Sequence, residues 1–395
     1  MTGASETQPA VSHSADLGGR LDVRRLREED IPALLVFLAE HYPDCPAKAN
    51  ADYFRWRFAA GPFGSSLDYY WLAWIAGQIA GQLATIRDRL WLSPSAGFRE
   101  PVEALWLVDL FVTPAHRGEL TALRMFQALM NSGLLLLATG AGSAVEPLYR
   151  ALGWQRRSIA QSLYLPIRPA GLLRMAAATG RTTTRMRMLQ PAASAAGLLL
   201  PSMLGYLKPR NDVGEVETSI EPLPRIAEKV AALFDALRPQ LGVTEVRNAE
   251  VFGWKFAQCP RGRRLAVTAR DPGNAALRGY LLAKEMERPG VARWIEVVDY
   301  LAGPDDAEAF AALEKAIVHK ALLRRVDFVR WRLSQPLHLQ RLARPWWQQR
   351  TMPVSDDVFA YSSNADLLAA FDSPWHLTSL ASDRADYGGD DLPSD

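Results

Sequence analysis

The 395-residue sequence is poor in several features that would define its class at once. It has two cysteines, Cys45 and Cys259, far apart and each followed by a proline. Two such thiols make neither a metal-ligand spacing nor a disulfide framework. They fit a protein held in a reducing compartment, so no metal and a cytoplasmic location are expected. Charge of one sign is also missing, since 45 Lys and Arg against 43 Asp and Glu leave a net charge of +2. That gives no general attraction for nucleic acid, so none is expected as a partner, and any basic surface must be local. The strongest apolar run after residue 190, AAGLLLPSMLGYL, is broken by Pro201 and too short to span a bilayer. The N-terminus lacks the basic region and apolar core of a signal peptide. Residues 1–19 and the acidic 381–395 read as disordered tails. The remaining composition, 49% hydrophobic and 22% charged, suits a soluble chain with two cores.

What the sequence does contain is a repeat of itself. NADYFRWRFA at 50–59 and NAEVFGWKFA at 248–257 share six of ten positions. Each is preceded by a helical pattern, EEDIPALLVFLAEHY in one case and LPRIAEKVAALFDAL in the other. Each is followed by a glycine-containing apolar stretch and then by an apolar strand carrying one acid, LWLVDLFV with Asp109 and WIEVVDYLA with Asp299. The order predicts an α/β protein built as two copies of one unit at 20–165 and 217–380. Residues 166–216 read as a helical connector, for which peripheral contact with a membrane surface is an alternative to packing between the domains. Trp56 and Trp254 hold corresponding places, which favours a core role over lining of a cleft.

The copies differ just after their acid-bearing strands. The first continues as FVTPAHRGELTALRMFQALM, where the spacing of Leu120, Leu123, Phe126, Leu129 and Met130 predicts an amphipathic helix from about 119 to 131. Its free N-terminal amides, with Arg117 and His116 close by, form an anion site. Pro114 closes the strand and Gly118 permits a tight turn. The second copy carries Asp305, Asp306 and Glu308 at the same junction and would repel an anion.

From LVDLFVTPAHRGELTALRMFQAL to PLYRALGWQRR, the first copy resembles the GCN5-related N-acetyltransferase superfamily. Val112 and Pro114 match the family's strand ending, Arg117 opens its pyrophosphate turn and Ala122 closes it. Leu120 takes the inner glycine position, and Gly142 stands where an asparagine is frequent. The resemblance implies mixed sheets, in tandem acyltransferase domains with a degenerate second copy. It implies that acetyl-CoA, or another acyl-CoA, is the co-substrate. The amides of Arg117, Gly118, Glu119, Leu120, Thr121 and Ala122 would then hold its pyrophosphate. Leu110, Phe111 and Val112 would pair with its pantetheine arm. Tyr149, in LYRALGW, would be the general acid for the leaving thiolate. Asp109 is a candidate base, matched by Asp299 in the copy without the turn, and Glu103 is a weaker one. His116 suits a ligand contact.

The activity so implied is acyl transfer to an amine of a small-molecule acceptor, with an amino-sugar or envelope precursor as first candidate. Two alternatives stand beside it: a non-catalytic scaffold on the same fold, and an aminoacyl transferase of the peptidoglycan-bridge type. The neutral charge speaks against the tRNA that the last would need. The oligomeric state is not legible.

Overall fold

The computed structural model describes residues 20–43, 45–92, 97–139, 145–158, 161–168, 216–260, 264–334 and 357–378, with a few single positions between. The two tails, Gly142 and most of the 166–216 connector lie outside the described residues. The fold is mixed α/β, with two sheets of mixed strand direction.

In chain order the first half gives β1 (Asp22–Arg25), α1 (Ile31–His41), α2 (Ala51–Phe58), β2 (Trp71–Ile75), β3 (Gln78–Trp91) and β4 (Val102–Val112). Then follow α3 (Thr121–Met130), β5 (Leu135–Thr139), α4 (Glu146–Ala151), β6 (Gln155–Ser158) and β7 (Gln161–Pro166). The second half gives β8 (Glu217–Glu221), α5 (Leu223–Leu241), β9 (Val243–Glu245), α6 (Ala249–Phe252), β10 (Arg264–Arg270), β11 (Leu277–Arg288) and β12 (Ala292–Ala302). It ends with α7 (Ala307–Arg324), β13 (Phe328–Leu333), β14 (Gln348–Gln349), β15 (Asp357–Tyr361), α8 (Ala365–Ala370) and β16 (Trp375–His376).

The main path of one sheet runs β1-β2-β3-β4-β5-β15-β6 and that of the other β8-β10-β11-β12-β13-β7-β14. The orders correspond place by place. In each sheet the sixth place belongs to a strand from the other half of the chain. β15 lies antiparallel between β5 and β6, and β7 lies antiparallel between β13 and β14. A strand flanked on both sides must be apolar on both faces. Val358 and Ala360 therefore enter one core and Phe359 another, while Leu163 and Leu165 are buried in the second half. The chain thus crosses the 20–165 and 217–380 stretches twice, through β7 and β15.

The repeated decapeptide starts each α2-type helix in the same way. Asn50 caps α2 by accepting from the Tyr53 N–H at 2.9 Å, and Asn248 caps α6 by accepting from Val251 at 2.8 Å. The two tryptophans then meet. Trp56 Nε1–H donates to Trp254 O at 3.0 Å, and Trp254 Nε1–H donates to Trp56 O at 2.9 Å, with the rings 5.6 Å apart. Buried indole N–H groups need such partners. Trp254 packs into the core of the first half, and Trp91 packs on α5 with Ile226 and Phe234. Both tryptophans of the repeat are core, as their matched positions suggest.

Candidate functional site

The sheets also share their irregularities. Between β3 and β4 the register passes from Ala84↔Asp109 to Thr85↔Leu107, which leaves Val108 as a bulge. Between β11 and β12 it passes from Leu282↔Asp299 to Ala283↔Val297, which leaves Val298. Gly81 and Gly279 sit opposite the strand ends, where a Cβ would come within 2.9 Å of Phe111 O and 3.0 Å of Leu301 O. Past the bulges β4 and β12 leave their parallel neighbours. β4 pairs with β5 only as far as Leu107↔Ala138, and β12 with β13 only as far as Val297↔Trp331. Each sheet therefore leaves a gap in its hydrogen-bond ladder beside residues 108–112 or 298–302.

Strand alternation decides which groups face the first gap. The Thr113 N–H goes to Ala80 O at 2.9 Å, on the β3 side. Phe111 therefore also spends its backbone on β3, and Leu110 and Val112 turn theirs to the gap. The expectation that Leu110, Phe111 and Val112 all supply backbone partners is narrowed to the outer two. The Phe111 ring instead stacks on His41 at 4.9 Å and lies 5.6 Å from Tyr42. Leu110, Phe111 and Val112 are all half-exposed.

The strand leads into the turn at 113–121. Gly118 takes φ +91°, which glycine adopts without strain, so Leu120 does not have to. Leu120 has φ −75°, stands at the N-cap of α3 and leaves its side chain 58% exposed, directed away from the fold. The turn needs only one glycine for this reason. Helix α3 starts two residues later than the pattern suggests and buries Thr121, Met125, Phe126 and Leu129. Among the described residues, none of the N–H groups of Gly118, Glu119, Leu120, Thr121 and Ala122 donates to another group. The hydroxyls of Thr113 and Thr121 are enclosed and also lack a partner. Arg117 leans over this end of the gap, donating from Nε to Val112 O at 3.2 Å. His116 pairs with Glu119 at 3.3 Å. Amides and a fixed cation around one turn fit a phosphate-bearing ligand.

Tyr149 is buried in α4 against Phe126, Trp154 and Phe359, with ring centroids 4.7–5.5 Å away. Burial pushes its phenol above the usual range, so it stays protonated. Asp109 is buried between two cations of the repeated region. Lys48 binds one carboxylate oxygen, and Arg57 Nη1 donates to the other at 2.9 Å. Burial alone would raise its pKa, but Lys48 and Arg57 outweigh burial and hold it below the usual range. A carboxylate so held is a weak base. Asp299 is buried in the same way, bound by Arg247 at 3.0 Å and by the Tyr280 hydroxyl at 2.5 Å. Glu103 lies at the far end of β4 with Arg87 and Arg89, away from the gap.

Sequence reasoning missed Lys48 and Arg57. Arg57 had a signal: a cation, Lys255, holds its place in the repeat. A small hollow beside Asp109 is lined by Leu38, Lys48, Tyr53, Phe54, Arg57 and Tyr70, and no water-sized sphere fits in it. Among the described residues no group of three His, Cys, Asp or Glu is placed to hold a metal ion. No described helix is long and apolar enough to cross a membrane.

A parallel strand pair that parts at a bulge is the feature both sheets share, and in the first it leads to an uncapped helix. The chain is similar to a GCN5-related N-acetyltransferase from Anabaena variabilis, with a TM-score of 0.59, 13% identity, and 88% of this chain and 74% of that one covered. It is similar to a GCN5-related N-acetyltransferase from Kribbella flavida, with a TM-score of 0.53, 11% identity and coverage of 88% and 72%. A probable N-acyltransferase from Enterococcus faecalis V583 gives a TM-score of 0.54, 11% identity and coverage of 86% and 72%. No family model matches the sequence, and no curated protein matches it. The chain has the GCN5-related N-acetyltransferase fold.

Proposed function

We propose that the protein is an N-acyltransferase that holds acetyl-CoA, or another acyl-CoA, in its first half and transfers the acyl group to an amine of a small-molecule acceptor. The observation that carries this reading is one continuous path. The strand edge at Leu110, followed by Val112 whose carbonyl is taken by Arg117, leads to five unpartnered amides at Gly118–Ala122. An acyl-CoA supplies the activated thioester. The chain supplies backbone pairing for an amide-bearing arm, an anion turn for phosphates, and a phenol.

Tyr149 is the residue we assign to protonate the leaving thiolate on its place in LYRALGW; burial raises its pKa, which weakens it as an acid relative to a free phenol. Asp109 is assigned to positioning: it fixes α2 against β4 through Arg57 and Lys48, and its matched counterpart Asp299 supports that role. The shared strand order, bulges, glycines and aspartates support two copies of one unit, with the second degenerate. The acceptor is expected to be an amino-sugar or envelope precursor, handled in the cytoplasm, with no metal. A purified sample incubated with acetyl-CoA and a panel of amines should release free CoA thiol only when an acceptor is present. Tyr149→Phe should slow that release by about 10²–10⁴-fold. Amine-dependent release at an unchanged rate in Tyr149→Phe would remove the phenol from the mechanism. No cofactor binding at millimolar acetyl-CoA would remove the function.

A further inference from the structure

We propose that the gap in the second sheet is a binding site for an extended peptide, and that its occupant is the chain's own segment Pro374–Thr378. The gap lies between the free end of β12 and the end of β13, and the segment bridges both walls. On the β12 wall, the His376 imidazole meets Tyr300 O through Nε2 at 2.9 Å, and the Thr378 hydroxyl donates to Asp299 Oδ1 at 2.8 Å. By register, Tyr300 is the counterpart of Leu110, so His376 takes the backbone carbonyl that faces the gap. On the β13 wall, Ser334 directly follows the strand. Its hydroxyl accepts from the Leu377 N–H at 2.6 Å and lies 2.8 Å from Trp375 O.

The outer side is held as well. β16 pairs in parallel with β9, Trp375 with Val243 and His376 with Thr244. The Val243 N–H donates to Pro374 O at 2.8 Å. Gly242, at φ +74°, makes that approach possible, because a Cβ there would lie 2.0 Å from Pro374 O. Trp375, His376, Leu377 and Thr378 are all buried. Burial, reinforced by Arg247, keeps the His376 pKa well below the usual range, so the ring enters neutral. The site therefore recognises an extended backbone with an imidazole and a hydroxyl two residues apart.

The segment thus meets the Tyr300 carbonyl and the Asp299 carboxylate from within the chain. A consequence rests on the proposed function: if the first gap takes the arm of acyl-CoA, the second has no room for one. Hydrogen exchange on the full chain tests the site directly. The amides of Trp375–Leu377 should exchange on the order of a thousandfold more slowly than unstructured amides. Gly242→Ala and Ser334→Ala should each lose at least about tenfold of that protection at Leu377 while β11 and β12 stay protected. A chain ending at Ser373 should bind a synthetic peptide of residues 374–378 one to one, and should not bind the scrambled peptide. Exchange of the segment at the unstructured rate in the full chain overturns the proposal. So does a folded shortened chain that ignores the peptide, or loss of segment protection when acetyl-CoA is added. Should the shortened chain fail to fold, the exchange measurements on the full chain decide. Absence of acetyl-CoA binding, with the segment still protected, would refute the proposed function and leave this site standing.

Discussion

Leu110 and Tyr300 hold the same register place in two sheets of the same strand order, yet Leu110 is half-exposed and Tyr300 is fully buried. The difference extends along the whole junction. Beyond the first gap stands an uncapped α3 with free amides. Beyond the second stands α7, whose N-terminus is capped by Asp306, accepting from the Ala309 N–H at 3.0 Å. Asp306 and Glu308 are in turn bound by Arg278. One fold thus appears in two states of satisfaction. A gap whose polar groups are left for a ligand is a candidate site, and a gap whose groups are met from within the chain is part of the core.

The largest expected effect concerns what the halves share. Asp109→Ala takes from buried Lys48 and Arg57 the carboxylate between them, and Asp299→Ala takes from Arg247 the nearer of its two acids, Glu245 lying at 3.7 Å. Each should cost about 3–5 kcal/mol in denaturant unfolding. A cost at Asp109 well below that at Asp299, with activity abolished, would restore Asp109 as a base and break the equivalence.

Next comes the seam between the halves, where β9 meets β3 at Trp91↔Thr244. Burial pushes Glu245 up to about 7, with Arg247, Asp88 and Lys255 as its charged neighbours. Its native pKa is raised above the ordinary carboxyl value, so its contribution is fully present below about pH 4.5 and is lost as pH rises through about 7. Glu245→Gln should therefore gain stability at pH 8 relative to pH 5, by up to about 3 kcal/mol. Equal shifts at both pH values would contradict the assignment.

The two junctions should then separate by ligand. Acetyl-CoA at about a hundred times its dissociation constant should stabilise the protein by about 2.7 kcal/mol. Arg117→Glu should abolish that gain in a thermal melt, and Arg278→Gln should leave it intact. Smallest is the tryptophan pair. Trp56→Phe and Trp254→Phe each remove one of two reciprocal hydrogen bonds, and each should cost about 1 kcal/mol beyond its change in packing. Markedly unequal costs would show that the seam is less symmetric than its geometry.

Much of this comparison was legible before any coordinates. The repeated Asn-capped segment follows a local rule, and the capping geometry obeys it in both copies. The change from a basic to an acidic junction is written in Arg117 and in Asp306, and φ −75° at Leu120 satisfies the requirement that a leucine avoid a positive φ. The strand exchange was not legible. β7 and β15 are short apolar runs, and nothing in an apolar run states which sheet it will complete. The segment SPWHLTSL is likewise too short to carry a period, and its partners Tyr300 and Ser334 lie about 40 or more residues away in sequence. Asp109 was found by its place in the repeat, but its role was decided by Lys48 and Arg57, contacts that depend on how α2 and the turn before it pack on β4.

The central claim is that one gap is open to acyl-CoA and the other is closed. Calorimetric titration of the full chain with acetyl-CoA tests it most directly. One ligand bound per chain, lost in Arg117→Glu and kept in Arg278→Gln, is the predicted result. Two ligands per chain, or none at millimolar acetyl-CoA, would contradict it.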